Sequence, residues 1–139
     1  MTTQARRPSV YFLIPVLNEA PNLPRLLSSA RVLASDIAPH ADPRFFIIDD
    51  GSTDDTGEVA RRLGADLDLT VLRHPTNLGP GRAFATGFAH LAKLLRADDF
   101  VVTMEGDNTS RPELLRAMFA RTRGERAELG ELSSEPPAF

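Results

Sequence analysis

Apolar residues in this chain fall into short unbroken runs, separated by stretches in which they recur every three or four positions. The first run, Val10, Tyr11, Phe12, Leu13 and Ile14, is continuous and rich in strand formers. A strand buried on both faces reads this way. A strand is expected over residues 9–14, with Pro15 stopping it. Leu23, Leu26, Leu27, Ala30, Leu33, Ala34 and Ile37 follow at helical spacing. Pro21 and Pro24 stand in or near the first turn of that helix, where proline is tolerated.

After a loop over 39–43, Phe45, Phe46, Ile47 and Ile48 form a second run. It is expected as a strand over 44–48, broken by Gly51. Ser52 or Thr53 is placed to cap the next helix, Asp54 and Asp55 suit its positive N-terminus, and Gly64 suits the C′ position just past its end. A third strand, over 67–72, alternates more and is expected nearer a sheet edge. Residues 77–81 are a Gly/Pro turn opening a long helix, with an apolar stripe of Phe84, Gly87/Phe88, Leu91 and Leu94/Leu95. A fourth strand is expected over 100–104, with Met104 in the core. Ser110 and Glu113 then make a capping box, and the helix they open carries Leu114, Leu115, Met118 and Phe119. From Arg121 the period fails.

Strands that are apolar throughout and alternate with helices imply a parallel sheet covered on both faces, and right-handed crossovers make it an open α/β sandwich. Composition sharpens the picture. The chain has 139 residues, 42% of them hydrophobic and 25% charged, so roughly two-thirds of its surface can be buried on folding. One domain is expected over 9–122, with a short extension over 1–8 and an irregular tail over 123–139. A net charge of -3 argues against nucleic-acid binding, which needs a basic face. The absence of cysteine excludes disulfides, thiol catalysis and thiolate metal sites. The longest apolar run contains Pro15 and is too short to span a bilayer, and no signal peptide is recognisable. The expectation is a cytoplasmic protein, soluble or peripheral at a membrane.

Ligands of open parallel sheets bind beyond the carboxyl ends of the strands, and this sequence repeatedly puts polar residues there. Asn18 and Glu19 follow the first strand, Asp49 and Asp50 the second, Asn77-Leu78-Gly79-Pro80-Gly81 the third, and Glu105 and Asp107 the fourth. Each group taken alone reads as capping or a solvated loop; four on one edge read as a site. Asp49 and Asp50 directly follow four apolar residues, where a carboxylate can accept hydrogen bonds from ribose hydroxyls or a base N–H. Asp54 and Asp55 are assigned to the helix N-terminus. The glycines after the third strand let a ligand approach the backbone at a helix start. That loop is neither a P-loop nor the dinucleotide fingerprint. Glu105-Gly106-Asp107 can converge on one cation, and oxygen-only ligation suits Mg²⁺ or Mn²⁺. His74 and His90 are read as structural.

Taken together, Ile14-Pro15-Val16-Leu17-Asn18-Glu19, Ile48-Asp49-Asp50-Gly51-Ser52-Thr53-Asp54, Asn77-Leu78-Gly79-Pro80-Gly81-Arg82-Ala83 and Glu105-Gly106-Asp107 with Pro112-Glu113 resemble the family 2 glycosyltransferases. Within that family the motifs are similar to polyprenol-phosphate sugar synthases of the dolichol-phosphate mannosyltransferase kind. The resemblance covers the family's N-terminal, nucleotide-binding half. It implies the GT-A fold, a Rossmann-like three-layer α/β sandwich with a mainly parallel sheet. It also implies a nucleotide-diphospho-sugar donor (GDP- or UDP-linked), a divalent metal, Mg²⁺ or Mn²⁺, and inverting transfer to an acceptor such as polyprenyl phosphate. By the same resemblance Pro15, Leu17, Asn18 and Glu19 line the nucleotide pocket, and Asp50 meets the base or ribose with Ile48 packed beside it. Gly79 lies in the donor loop. Glu105, Gly106 and Asp107 stand where the family has Asp-x-Asp, with Asp107 as direct metal ligand and Glu105 in place of the first Asp.

No residue of the chain matches the family's acceptor-activating base, and weak or no activity is expected of these 139 residues alone. A non-catalytic nucleotide-sugar-binding or regulatory module is the alternative. A receiver-like signalling domain fits less well, because it carries its acidic pair after the first strand. The family's fold puts the first four strands in the order 3-2-1-4, and the fourth has no lysine or proline to blunt it as an edge. Self-association through that strand is therefore expected. Light scattering over a concentration series should give a mass above the monomer; a stable monomer with a protease-sensitive tail would refute the expectation.

Overall fold

The computed structural model describes residues 7–104. Four strands form one parallel sheet in the order β3-β2-β1-β4: β1 is Ser9–Val16, β2 Asp42–Asp49, β3 Leu69–Arg73 and β4 Phe100–Thr103. The helices between them are α1 (Leu23–Ile37), α2 (Thr56–Leu63) and α3 (Pro80–Leu91), with a single 3-10 turn at Ala20–Asn22 leading into α1. The expected strand order and the α/β class are those observed. The fourth-strand carboxylates, the Ser110 capping box and the helix it opens lie outside the described residues.

Side chains alternate across the sheet, so β1 and β2 feed two cores. Phe12, Ile14, Phe45 and Ile47 meet α1 and α2 on one face, with Leu23, Leu26, Leu27, Ala30 and Leu33. Tyr11, Leu13, Phe46 and Ile48 meet α3 on the other, with Ala83 and Leu91. The Phe12 and Phe45 rings stack with centroids 4.8 Å apart. Met104, just past β4, is buried in the first core as expected.

Several boundaries differ from the sequence reading. β1 runs through Pro15 to Val16, with Pro15 opposite Ile48. Proline lacks only an N–H, and in a parallel strand alternate residues address opposite neighbours. The Leu13 carbonyl accepts from Met104 N–H on the β4 side, while the Val16 carbonyl accepts from Asp50 N–H on the β2 side. Pro15 therefore addresses the β4 side, beyond the last β4 partner at Thr103, so its missing N–H interrupts none of the pairs between Val10–Leu13 and β4. β2 begins at Asp42 rather than 44. The N-cap of α2 is Asp55 rather than Ser52 or Thr53, whose polar groups are engaged elsewhere. Gly64 is itself the C-cap of α2, with φ of -97°, not a left-handed C′ residue.

The stripe of α3 is rotated from the expected one. Ala83, Gly87 and Leu91 are buried, Phe84 is half-buried, and Phe88, Leu94 and Leu95 are exposed. Small residues decide this, because they let the helix backbone lie against the sheet. A Cβ on Gly87 would stand 3.1 Å from both Leu13 methyls and 3.3 Å from Ile48 Cδ1. Gly87→Val should accordingly lower unfolding free energy by about 1–3 kcal/mol through overpacking, whereas Phe88→Ser should stay within about 0.5 kcal/mol. Urea unfolding of both variants checks this; a larger loss at Phe88 would restore the expected stripe.

Candidate functional site

The last residue of β2, Asp49, and the residue just beyond it, Asp50, are both carboxylates, and the extended chain sends them to opposite faces. Asp49 turns toward α2 and Asp50 toward α3, and both are almost wholly buried. β3 runs alongside, with Arg73 opposite Asp49 in register. Arg73 Nε lies 3.9 Å from Asp49 Oδ2, and His74, the next residue, meets Asp50. Each carboxylate thus has a basic neighbour on its own face.

Asp49 Oδ1 accepts the Ser52 N–H at 3.0 Å, while Oδ2 has no hydrogen-bond partner among the described residues. That oxygen lies beneath the first turn of α2, 2.9 Å from where a Cβ on Gly57 would stand. The glycine makes room for it, and the helix N-terminus favours its charge. Asp50 is more fully engaged. Its Oδ1 accepts from Leu78 N–H at 2.9 Å and His74 Nδ1–H at 2.7 Å, and its Oδ2 from Gly79 N–H at 2.9 Å. His74 Nε2 in turn lies 2.7 Å from Thr86 Oγ1 on α3. Burial pushes the Asp50 carboxyl up. The bonds from His74, Leu78 and Gly79 and the nearby imidazole outweigh it, and the net shift is downward.

The loops beyond the strands are bonded to one another. Asn18 adopts a left-handed φ of 51°. Its Oδ1 accepts from Thr53 N–H at 2.8 Å and Thr53 Oγ1–H at 3.2 Å, and its own N–H donates to Ser52 Oγ at 2.9 Å. Glu19 N–H donates to Thr56 Oγ1 at 3.0 Å. Thr56 donates its N–H and its hydroxyl to Asp54 Oδ1, whose carboxyl is lowered by the Thr56 hydroxyl above all. Gly51, at φ of 77°, presses against the next loop: a Cβ there would fall 2.2 Å from the Thr76 carbonyl carbon. The β1, β2 and β3 loops therefore make one rim. Gly79 (φ 98°) and Gly81 leave open space where side chains would stand, and Pro80, with no N–H, opens α3.

The site residues expected from sequence divide three ways. Leu17 and Asn18 are exposed at the rim, and Pro15, Glu19 and Gly79 are partly exposed there. Asp50 is at the rim but committed to internal bonds, and Ile48 is fully buried beneath α3. Glu105, Gly106 and Asp107 lie outside the described residues; β4 brings the chain to this edge, where Met104 N–H bonds the Leu13 carbonyl at 2.9 Å. Among the described residues no group of three or more His, Cys, Asp or Glu could hold a metal. His74, read from sequence as merely structural, is bonded into the rim. Its position one residue beyond β3, beside the strand that ends just before Asp50, was the available signal.

The fold, a parallel sheet in this order with helices on both faces and polar loops gathered at its carboxyl edge, is that of the GT-A glycosyltransferases. The model of glycosyl transferase family 2 matches residues 11–130, and the chain belongs to that family. It is 30% identical over 114 residues to the undecaprenyl-phosphate 4-deoxy-4-formamido-L-arabinose transferase of Shewanella sediminis, covering 81% of this chain and 32% of that protein. It is 35% identical over 107 residues to the polyprenol monophosphomannose synthase of Mycolicibacterium smegmatis, covering 74% and 37%. The solved mannosyltransferase PcManGT of Pyrobaculum calidifontis, in complex with GDP-Man and Mn²⁺, superposes with a TM-score of 0.63 at 25% identity, over 82% of this chain and 32% of that one. The chain thus spans about a third of the length of these relatives.

The low Asp50 carboxyl makes a pH prediction. A carboxyl whose folded pKa lies below its unfolded value, about 3.9, stabilises the fold fully above that value. The contribution is lost as pH falls through the folded pKa. Unfolding free energy should therefore drop on acidification below about pH 4. Asp50→Asn should be less stable at pH 7 and show a shallower acid slope, with Asp54 and Asp66 keeping part of it because their carboxyls are lowered too. Urea titrations across this range test it, and an unchanged slope would remove Asp50 from the account.

Proposed function

We propose that this chain is the donor-binding portion of a family 2 glycosyltransferase. The donor is a nucleotide-diphospho-sugar, GDP- or UDP-linked, held with Mg²⁺ or Mn²⁺. The full reaction is inverting transfer of the sugar to an acceptor such as polyprenyl phosphate. The observation that carries the reading is the rim itself: three loops at the carboxyl edge bonded into one surface, with open space at Gly79 and Gly81 at the start of α3. Such a helix start suits phosphate oxygens. The similarity to PcManGT, whose complex contains GDP-Man and Mn²⁺, supports the donor class. The polyprenol and undecaprenyl-phosphate relatives support the acceptor class. Among the described residues no helix is long and apolar enough to cross a membrane.

Glu105 and Asp107, next in sequence after Met104, are the residues that would hold the cation. Their carboxylates supply the oxygen donors Mg²⁺ and Mn²⁺ prefer, and β4 carries the chain to the edge where they are needed. When bound, the cation offsets the charge of the diphosphate. Pro15, Leu17, Asn18 and Glu19 would shape the nucleotide pocket, with Asp50 holding its floor.

Calorimetry of the 139-residue chain with GDP and UDP tests the proposal. Affinity should be at least about tenfold higher with Mn²⁺ than with EDTA, and Asp107→Ala should erase the difference. Equal affinity with and without metal would refute the metal assignment. Binding with no sugar transfer, even when the chain is supplied within its full-length relatives' frame, would favour the regulatory-module reading instead.

A further inference from the structure

Among the described residues, Asp50 is the carboxylate at the rim whose two oxygens both hold main-chain N–H groups of the loop that opens α3. A carboxylate can pivot about its own bond, so holding two N–H groups in fixed directions requires that its plane be fixed. The remaining contact to do this is His74. An ionised carboxylate only accepts, so the proton on the imidazole side facing it is on Nδ1. Nε2 is then positioned by Thr86 Oγ1, one and a half turns into α3. The imidazole, buried to 6% exposure, is thereby held between β2 and α3 by bonds of 2.7 Å on both sides.

We infer that His74 is a positioning residue for nucleotide binding: through Asp50 it sets the Leu78 and Gly79 amides and with them the start of α3. The role of that loop toward a ligand rests on the donor-binding reading above; the chain of bonds from Thr86 to Gly79 does not. The hydroxyl of Thr86 can donate to a neutral imidazole or accept from a charged one, so the linkage survives either state of the ring. Neighbouring side chains do not duplicate it. Arg73 lies on the opposite face of β3 with Asp49, and His90 lies against Phe46.

The test separates this role from simple packing. In His74→Leu the ring is replaced by an apolar side chain; His74→Asn restores an N–H donor at the place of Nδ1–H; Thr86→Val removes only the hydroxyl. Two quantities are read for each: the amide proton shifts and hydrogen exchange of Leu78 and Gly79, and the calorimetric affinity for GDP and UDP with Mn²⁺. Global stability in urea is measured alongside. His74→Leu should move both amides upfield, speed their exchange beyond the change in global stability, and weaken nucleotide binding about tenfold. His74→Asn should bring both back to within about threefold of the parent. Thr86→Val should fall between them and serves in place of His74→Leu should that variant fail to fold. Unchanged amides and affinity in His74→Leu or Thr86→Val, or no recovery in a folded His74→Asn, would overturn the inference. If the parent itself binds neither nucleotide, the donor-binding reading fails, while the amides alone still decide whether His74 positions the loop.

Discussion

Successive residues of an extended chain face opposite sides of the sheet, and an aspartate at the end of β2 is followed directly by a second just beyond it. This geometric constraint organises the carboxyl edge. It delivers one carboxylate to each face, Asp49 beneath the first turn of α2 and Asp50 before the first turn of α3. The same alternation delivers Arg73, the last residue of β3, to the Asp49 side and His74, just beyond it, to the Asp50 side. The first turns of two helices that cover opposite faces are thus met by adjacent residues at one strand end. A one-residue slip of β2 would exchange the two carboxylates and, with them, every core residue.

The two carboxylates are not equally provided for. An unpaired charge is expensive to bury, and Asp50 avoids that cost with three donors and a lowered pKa. Asp49 Oδ2 has no hydrogen bond among the described residues and relies on the α2 N-terminus and the more distant Arg73 guanidinium. Asp50 is therefore the one that holds the outer loop in place. Asp49 secures a nearer turn, through Ser52, and keeps α2 close by way of Gly57.

Much of this was legible in the sequence, and what was not had physical reasons. The unbroken runs around Phe12 and Phe46 announced strands buried on both faces, and the strands fall in the expected order. Pro15 was misread because a proline ends a strand only where its N–H is needed. The α3 stripe was misread because periodicity weighs large apolar residues, while contact here is made by Ala83 and Gly87. The rim position of Asn18, Glu19 and Gly79 was visible from their place after strands. The partners of Asp50 were not. Leu78, Gly79 and His74 come to it through β-register and a glycine loop, which no local pattern encodes.

Register matters equally at β4, the outer strand among the described residues on the β1 side. It pairs with β1 over four positions, too few to fix register by core packing alone. Its ends are pinned instead. Asp99, just before it, accepts the Ser9 N–H at the start of β1 and the Arg96 N–H of the preceding turn, each at 2.9 Å. Just after it, Met104 N–H bonds the Leu13 carbonyl and its side chain enters the first core. A slip of one residue would break both and send Val101 and Val102 to the wrong faces. It would also move the point where the chain leaves the sheet by about 3.3 Å along the strand. That point precedes Glu105 directly, so an aspartate at the far end of β4 sets the departure point of the segment that carries the proposed metal ligands.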